Sequence, residues 1–166
     1  MTRILALTIT LVAAIMGTPL AQQLSSEWTQ SKLIRAKIEM EEYKVPAGKV
    51  PWLVLTVQNL SDHPLRDDGF DIEYRVMVVK DNKELHRTRL HRQLRHEPGL
   101  PELDLGGPPD ARKIDAGATV TREFDLAKYY EFEGPGEYSV YVEILDSPGK
   151  PARTNAVKFE MQAPSQ

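Results

Sequence analysis

The stretch Gly134-Pro135-Gly136-Glu137-Tyr138-Ser139-Val140-Tyr141-Val142-Glu143-Ile144 decides the fold class. A Gly-Pro-Gly turn releases the chain into strict alternation. Tyr138, Val140, Val142 and Ile144 fall on one face; Glu137, Ser139, Tyr141 and Glu143 fall on the other. Successive side chains of a strand point to opposite sides of the sheet, so this period of two reads as a strand with one buried and one wet face.

The same pattern recurs in both directions along the chain. In Lys32–Glu41, Ile34, Ala36, Ile38 and Met40 oppose Arg35, Lys37, Glu39 and Glu41. Val50–Asn59 is the most apolar segment, with Leu53, Leu55 and Val57 on its core face. In Phe70–Lys80, Ile72, Tyr74, Val76 and Val78 alternate with Glu73, Arg75 and Met77. Ala118–Leu126 turns Val120 and Phe124 inward, and Asn155–Met161 turns Val157, Phe159 and Met161 inward. Pro, Gly, Asn and Asp punctuate the gaps, at Pro46-Ala47-Gly48, Asn59–Gly69, Asp81-Asn82 and Asp146–Pro151. Glu84–Leu94 fits neither the strand nor the helix period well. The tight reversal at Asp81-Asn82 before it favours a paired edge strand over a helix. The expected fold is therefore all-β, an antiparallel two-sheet sandwich of about seven strands without a helix. It spans 32–162, after a polar lead-in at 22–31 and before a tail at 163–166.

The segment Phe124-Asp125-Leu126, Tyr129-Tyr130-Glu131-Phe132 and Gly134-Pro135-Gly136-Glu137-Tyr138-Ser139-Val140, followed by Thr154–Phe159, resembles the C-terminal half of immunoglobulin-like domains in exported bacterial proteins, many of them uncharacterised. A related signature occurs in the sandwich part of some secreted metalloproteases. The resemblance covers residues 118–161 and implies an immunoglobulin-like sandwich. It also implies a structural corner at Gly136 and Tyr138, with the tyrosine ring packed inward and its hydroxyl bonded back to the preceding turn. It brings no catalytic motif. The chain departs from antibody-type domains in carrying apolar residues where an inter-sheet disulfide would sit, and Trp52 on the second strand.

Residues 1–21 read as a signal peptide: Arg3 precedes an apolar run from Ile4 to Met16 and the small-residue segment Gly17-Thr18-Pro19-Leu20-Ala21. The run is shorter than the ~20 apolar residues a membrane span needs, so no stable membrane insertion is expected after cleavage. With 24 acidic against 21 basic residues the net charge is −3, which gives no bias toward nucleic acid. There is no cysteine, so stability must come from the core alone, and thiolate catalysis and Cys-ligated metal sites are excluded. The expected location is exported, periplasmic or secreted, in a bacterium.

No residue pattern asks for catalysis. His96-Glu97 is followed by Pro98-Gly99-Leu100, so a His-Glu-x-x-His zinc motif is closed by a missing second histidine and a helix-breaking proline. His86, His91 and His96 recur every five residues, a spacing that brings them together on neither a strand nor a helix. No Gly-x-Ser-x-Gly elbow exists, and Asp67-Asp68 and Glu102 with Asp104 lie in Gly/Pro-rich loops. No catalytic residue, no metal ligand and no cofactor is expected.

The compositional anomaly is Lys83–His96, KELHRTRLHRQLRH, with five Lys and Arg and three His against one Glu in an otherwise acidic chain. On an edge strand, Arg87, Arg89 and His91 would share one face. Such a stripe protects an edge from aggregation or docks an acidic partner. The following loop, 98–117, holds four Pro and four Gly and is long enough to be functional. The expectation is a non-catalytic binding domain that recognises another extracytoplasmic protein through Arg87, Arg89, His91 and Arg92 and through Leu103, Asp104 and Leu105. The alternatives are a module for an anionic glycan or other polyanion using the same stripe, a protease inhibitor, or a small hydrolase. Tyr129, Tyr130, Phe132 and Trp52 read as packing at the end of the sandwich in preference to a sugar platform.

Overall fold

The computed structural model describes residues 27–66, 71–101, 113–146 and 151–164. Six of the expected strands are present: β2 (Ile34–Met40), β4 (Trp52–Asn59), β6 (Ile72–Lys80), β9 (Thr119–Asp125), β10 (Gly136–Asp146) and β12 (Val157–Met161). Six two-residue strands fill in between them: β1 (Thr29–Gln30), β3 (Lys44–Val45), β5 (Leu65–Arg66), β7 (Lys83–Glu84), β8 (Lys113–Ile114) and β11 (Ala152–Arg153). The lead-in thus ends in a strand, with Thr29 opposite Ala36.

Two main sheets form. One runs β1-β2-β4-β9 and the other β3-β12-β10-β6-β7, with β11 added on β10; β5 and β8 make a separate pair. The pairings are antiparallel except β12 with β3. β10 is the hub of the second sheet, flanked by β6 from Ser139 opposite Val79 to Asp146 opposite Ile72. Its inward residues Tyr138, Val140, Val142 and Ile144 are buried against Ile34, Ala36, Ile38, Leu53, Leu55 and Val57 of the first sheet. Each aliphatic side chain so covered contributes about 2 kcal/mol, and no disulfide is present to help. Buried Asp146 closes the seam between the sheets, its Oδ2 accepting the backbone N–H of Leu33 at 3.0 Å.

The turn residues behave as their chemistry requires. Asp81 and Asn82 both take positive φ, 51° and 62°, the geometry of a two-residue hairpin whose twist matches its strands. Gly136 sits at φ 134°, a conformation closed to side chains with a Cβ. Beyond it the Tyr138 ring is buried, and its hydroxyl donates to the Gly134 carbonyl at 2.6 Å. Phe132 and Phe159 pack on that ring.

The expected seventh strand is a correction. The ladder on β6 ends with β7, and Arg89–Leu94 is a helix, α1. A second short helix, α2, occupies Leu126–Tyr129 in the corner before β10. Thr88 starts α1 because it is extended (φ −60°, ψ 162°) and its hydroxyl accepts the His91 N–H at 3.2 Å, a side-chain cap that satisfies one of the open donors of a first turn. Arg87, Arg89 and His91 therefore do not share a strand face.

Candidate binding groove and the outer face of the first helix

Segment 86–88 is fixed to the corner before β10 by three hydrogen bonds, two of which make one backbone bridge. Thr88 N–H donates to the Tyr129 carbonyl at 3.0 Å and Glu131 N–H to the His86 carbonyl at 2.9 Å. The Thr88 hydroxyl donates to the Lys128 carbonyl at 2.6 Å, and Arg87 forms an isolated bridge with Tyr130. These bonds dock α1 beside α2 and set which of its residues face inward.

His91 faces inward. It is buried, its Nδ1 lies 3.1 Å from the Tyr129 carbonyl oxygen, and the rings of Tyr129 and Tyr130 meet it edge to face. Burial holds its pKa below the ordinary histidine value, with Arg87 and Arg95 adding to the shift. Nδ1 as donor to that carbonyl defines the neutral tautomer with its proton on Nδ1. Buried Tyr130 donates its hydroxyl to the Val76 carbonyl at 2.9 Å and lies 3.0 Å from Glu84 Oε1; burial, then the Glu84 charge, raises its pKa.

The basic segment is more neutral in space than in sequence. Arg87 binds Glu84 through Nε and Nη2 at 2.7 and 3.0 Å and reaches Glu97 through Nη1 at 3.1 Å. Arg92 Nε donates to the other Glu97 oxygen at 2.9 Å. The bond from Arg92, followed by that from Arg87, holds the Glu97 carboxyl below its usual range. Glu97 lies outside the expected site, yet it joins two of the residues assigned to it. Arg87 is consequently a structural cation, and of the four expected stripe residues only Arg89 and Arg92 are exposed. Leu103, Asp104 and Leu105 lie outside the described residues.

What the stripe reading missed is the apolar part of α1. Leu90 and Leu94 are 38% and 39% exposed, one turn apart on the same side of the helix. Leu94 also borders a groove of about 670 Å³ between α1, the Ile72–Val76 part of β6, Phe124 and Tyr129. Arg75 and Arg95 bring positive charge to this groove, His96 is part of its lining, and Glu73 is its carboxylate. Arg75 binds Glu73 at 2.7 Å, which lowers the Glu73 pKa, with Arg95 contributing its field. His96 has φ 50°, an uncommon backbone state for a residue with a Cβ, and such states gather at functional sites. The i, i+4 spacing of Leu90 and Leu94 was the sequence signal for this surface; the groove itself joins residues more than fifty positions apart and left none.

No family model matches the chain, and neither does any curated protein. Among solved structures it is similar to part of a β-glucosidase from Listeria innocua in complex with glucose, at 14% identity and a TM-score of 0.46, over 83% of this chain and 17% of that one. It is also similar to part of the Pseudomonas fluorescens alkylpurine DNA glycosylase AlkC bound to DNA containing an abasic site analog, at 18% identity and a TM-score of 0.39, over 77% of this chain and 30% of that one. The chain thus spans less than a third of either protein.

The described residues hold no group of three or more His, Asp or Glu that could bind a metal ion, and no helix among them is long and apolar enough to cross a membrane. The arrangement of α1 and its groove is suited to contact: exposed leucines, cationic side chains and aromatic rings in one place. Leucine supplies buried area, arginine supplies steering and direction, and both are needed for a selective surface.

Proposed function

We propose that this protein is an exported, non-catalytic binding domain of immunoglobulin-like architecture that recognises another extracytoplasmic protein through the outer face of α1. The observation that carries the reading is the exposure of Leu90 and Leu94 beside Arg89 and Arg92 in a chain of net charge −3. Leu90 and Leu94, 38% and 39% exposed, lose that solvent contact only when something covers them, and covering what remains of each is worth about 1 kcal/mol. The flanking arginines select an acidic cover and speed its approach. The order of the two main sheets, with β4 beside β2 and β9 and with β10 between β12 and β6, supports the immunoglobulin-like reading, as does the hydroxyl bond from Tyr138 to Gly134. The loop around Leu103–Leu105 stays in the proposal on sequence grounds.

The test is affinity capture from the native exported fraction, with the wild-type protein and an Arg89→Glu/Leu90→Ser/Leu94→Ser variant side by side. A protein retained by wild type, lost by the variant and rebound when purified supports the reading. Equal retention on both contradicts it.

A second reading, an acidic-carbohydrate or other polyanion module, draws on the cations and aromatic rings of the groove. Retention on a sulfated polymer that collapses with moderate salt favours it, because exposed charge contacts are screened within about 8 Å at physiological ionic strength.

A further inference from the structure

The groove beside α1 has features that the leucine ridge alone does not use. Its cationic side chains are Arg75 and Arg95, with His96 at the rim, and its one carboxylate, Glu73, is already taken by Arg75. Arg95 therefore brings a charge to the groove that the Arg75–Glu73 pair does not cancel. Its aromatic lining includes Phe124 and Tyr129, whose rings lie 6.3 Å apart. Leu94 belongs to both the ridge and the groove, so whatever covers the ridge passes the mouth of the groove. A volume of about 670 Å³ falls within the range that holds a bulky side chain together with its neighbours.

We infer that the groove receives a short acidic segment of the partner protein, which seats one bulky apolar side chain against Leu94, Phe124 and Tyr129 and places a flanking carboxylate on Arg95. The inference rests on the reading of α1 as a protein-docking face and names the chemistry of what docks. An apolar anchor in a pocket with a charged rim is the arrangement in which a few residues carry most of the binding energy. Arg95 caps the end of α1 through its backbone N–H and lines the groove, where a carboxylate would meet a planar, two-pronged donor. The uncancelled positive charge disfavours basic segments, and a neutral segment gains the anchor contact without the ion pair, so selectivity comes from charge and anchor together.

A displayed library of random short peptides, selected on the purified protein, tests this. Enriched peptides should pair Asp or Glu with a single Phe, Trp, Tyr or Leu. Their affinity should fall by about tenfold or more on Arg95→Glu, be largely kept by Arg95→Lys, and be little changed by Arg89→Glu/Leu90→Ser. Absence of enrichment, enrichment indifferent to Arg95→Glu, or occupation of the groove by oligogalacturonate in place of peptide would each overturn the inference. Loss of captured partner on the α1 variant with no peptide selected in the groove would leave the docking face standing and remove the groove. Acidic peptides that depend on Arg95, with a captured partner indifferent to α1, would do the reverse.

Discussion

The imidazole of His91 stands edge-on to the ring of Tyr130, with 5.0 Å between centroids. This contact joins α1 to the corner that leads into β10. Its partners from every side are Tyr129 and Tyr130 around the ring, Arg87 and Arg95 as nearby cations, and Glu84 as the nearby anion.

The pairing makes stability depend on pH. Burial holds the folded pKa of His91 below its ordinary 6.5, so between the two values the unfolded chain binds a proton that the folded chain does not. The resulting stabilisation is present above 6.5 and is lost as pH falls through that value toward the lowered folded pKa. Denaturant midpoints measured from about pH 8 down to about pH 5 should decline for the wild type and decline less for His91→Phe. Parallel curves for the two proteins would exclude His91 as the source.

Two tyrosine hydroxyls should differ in worth. Tyr130→Phe leaves the Val76 carbonyl without its 2.9 Å donor inside the core, and an unsatisfied buried group costs about 1–3 kcal/mol. Tyr138→Phe removes the 2.6 Å bond to the Gly134 carbonyl, which is part-buried, with Lys80 Nζ also near the phenol; about 1 kcal/mol is expected. Chemical denaturation of both variants checks the order, and a costlier Tyr138→Phe would reverse the assignment of Tyr130 as the pin between β6 and the corner.

The arginines of the basic segment separate by partner. Arg87→Ala breaks bonds to Glu84 and Glu97 at a position whose side chain is 26% exposed and should cost about 1–2 kcal/mol. Arg89→Ala, on the exposed face, should change stability by less than about 0.5 kcal/mol while weakening partner binding. Thermal melts of the pair decide it: equal losses would mean that the Arg87 bonds to Glu84 and Glu97 together contribute nothing.

Much of the sandwich was legible because alternation is local. Ile34, Ala36, Ile38 and Met40 are buried in register as their spacing requires, and the same holds for Leu53, Leu55 and Val57. The basic segment was not legible as a strand because it is not one. Its only apolar residues are Leu85, Leu90 and Leu94, and Leu85 is buried after the β7 hairpin while the other two stay outside. The deciding residue is Thr88, whose capping hydroxyl is shared between the His91 N–H and the Lys128 carbonyl forty positions away. A cap anchored by a distant corner leaves no periodic trace. Glu97 escaped notice for a similar reason: it follows the basic run in sequence, and only the turn after α1 brings it back onto Arg87 and Arg92.

The proposed docking surface is most directly tested by backbone hydrogen exchange on the protein alone and saturated with its purified captured partner. The account predicts new protection at residues 89–96, extending to 73–75 on β6 and 124–129 at the groove. Protection confined to the outer faces of the sheets, with α1 exchanging as fast as in the free protein, would contradict it.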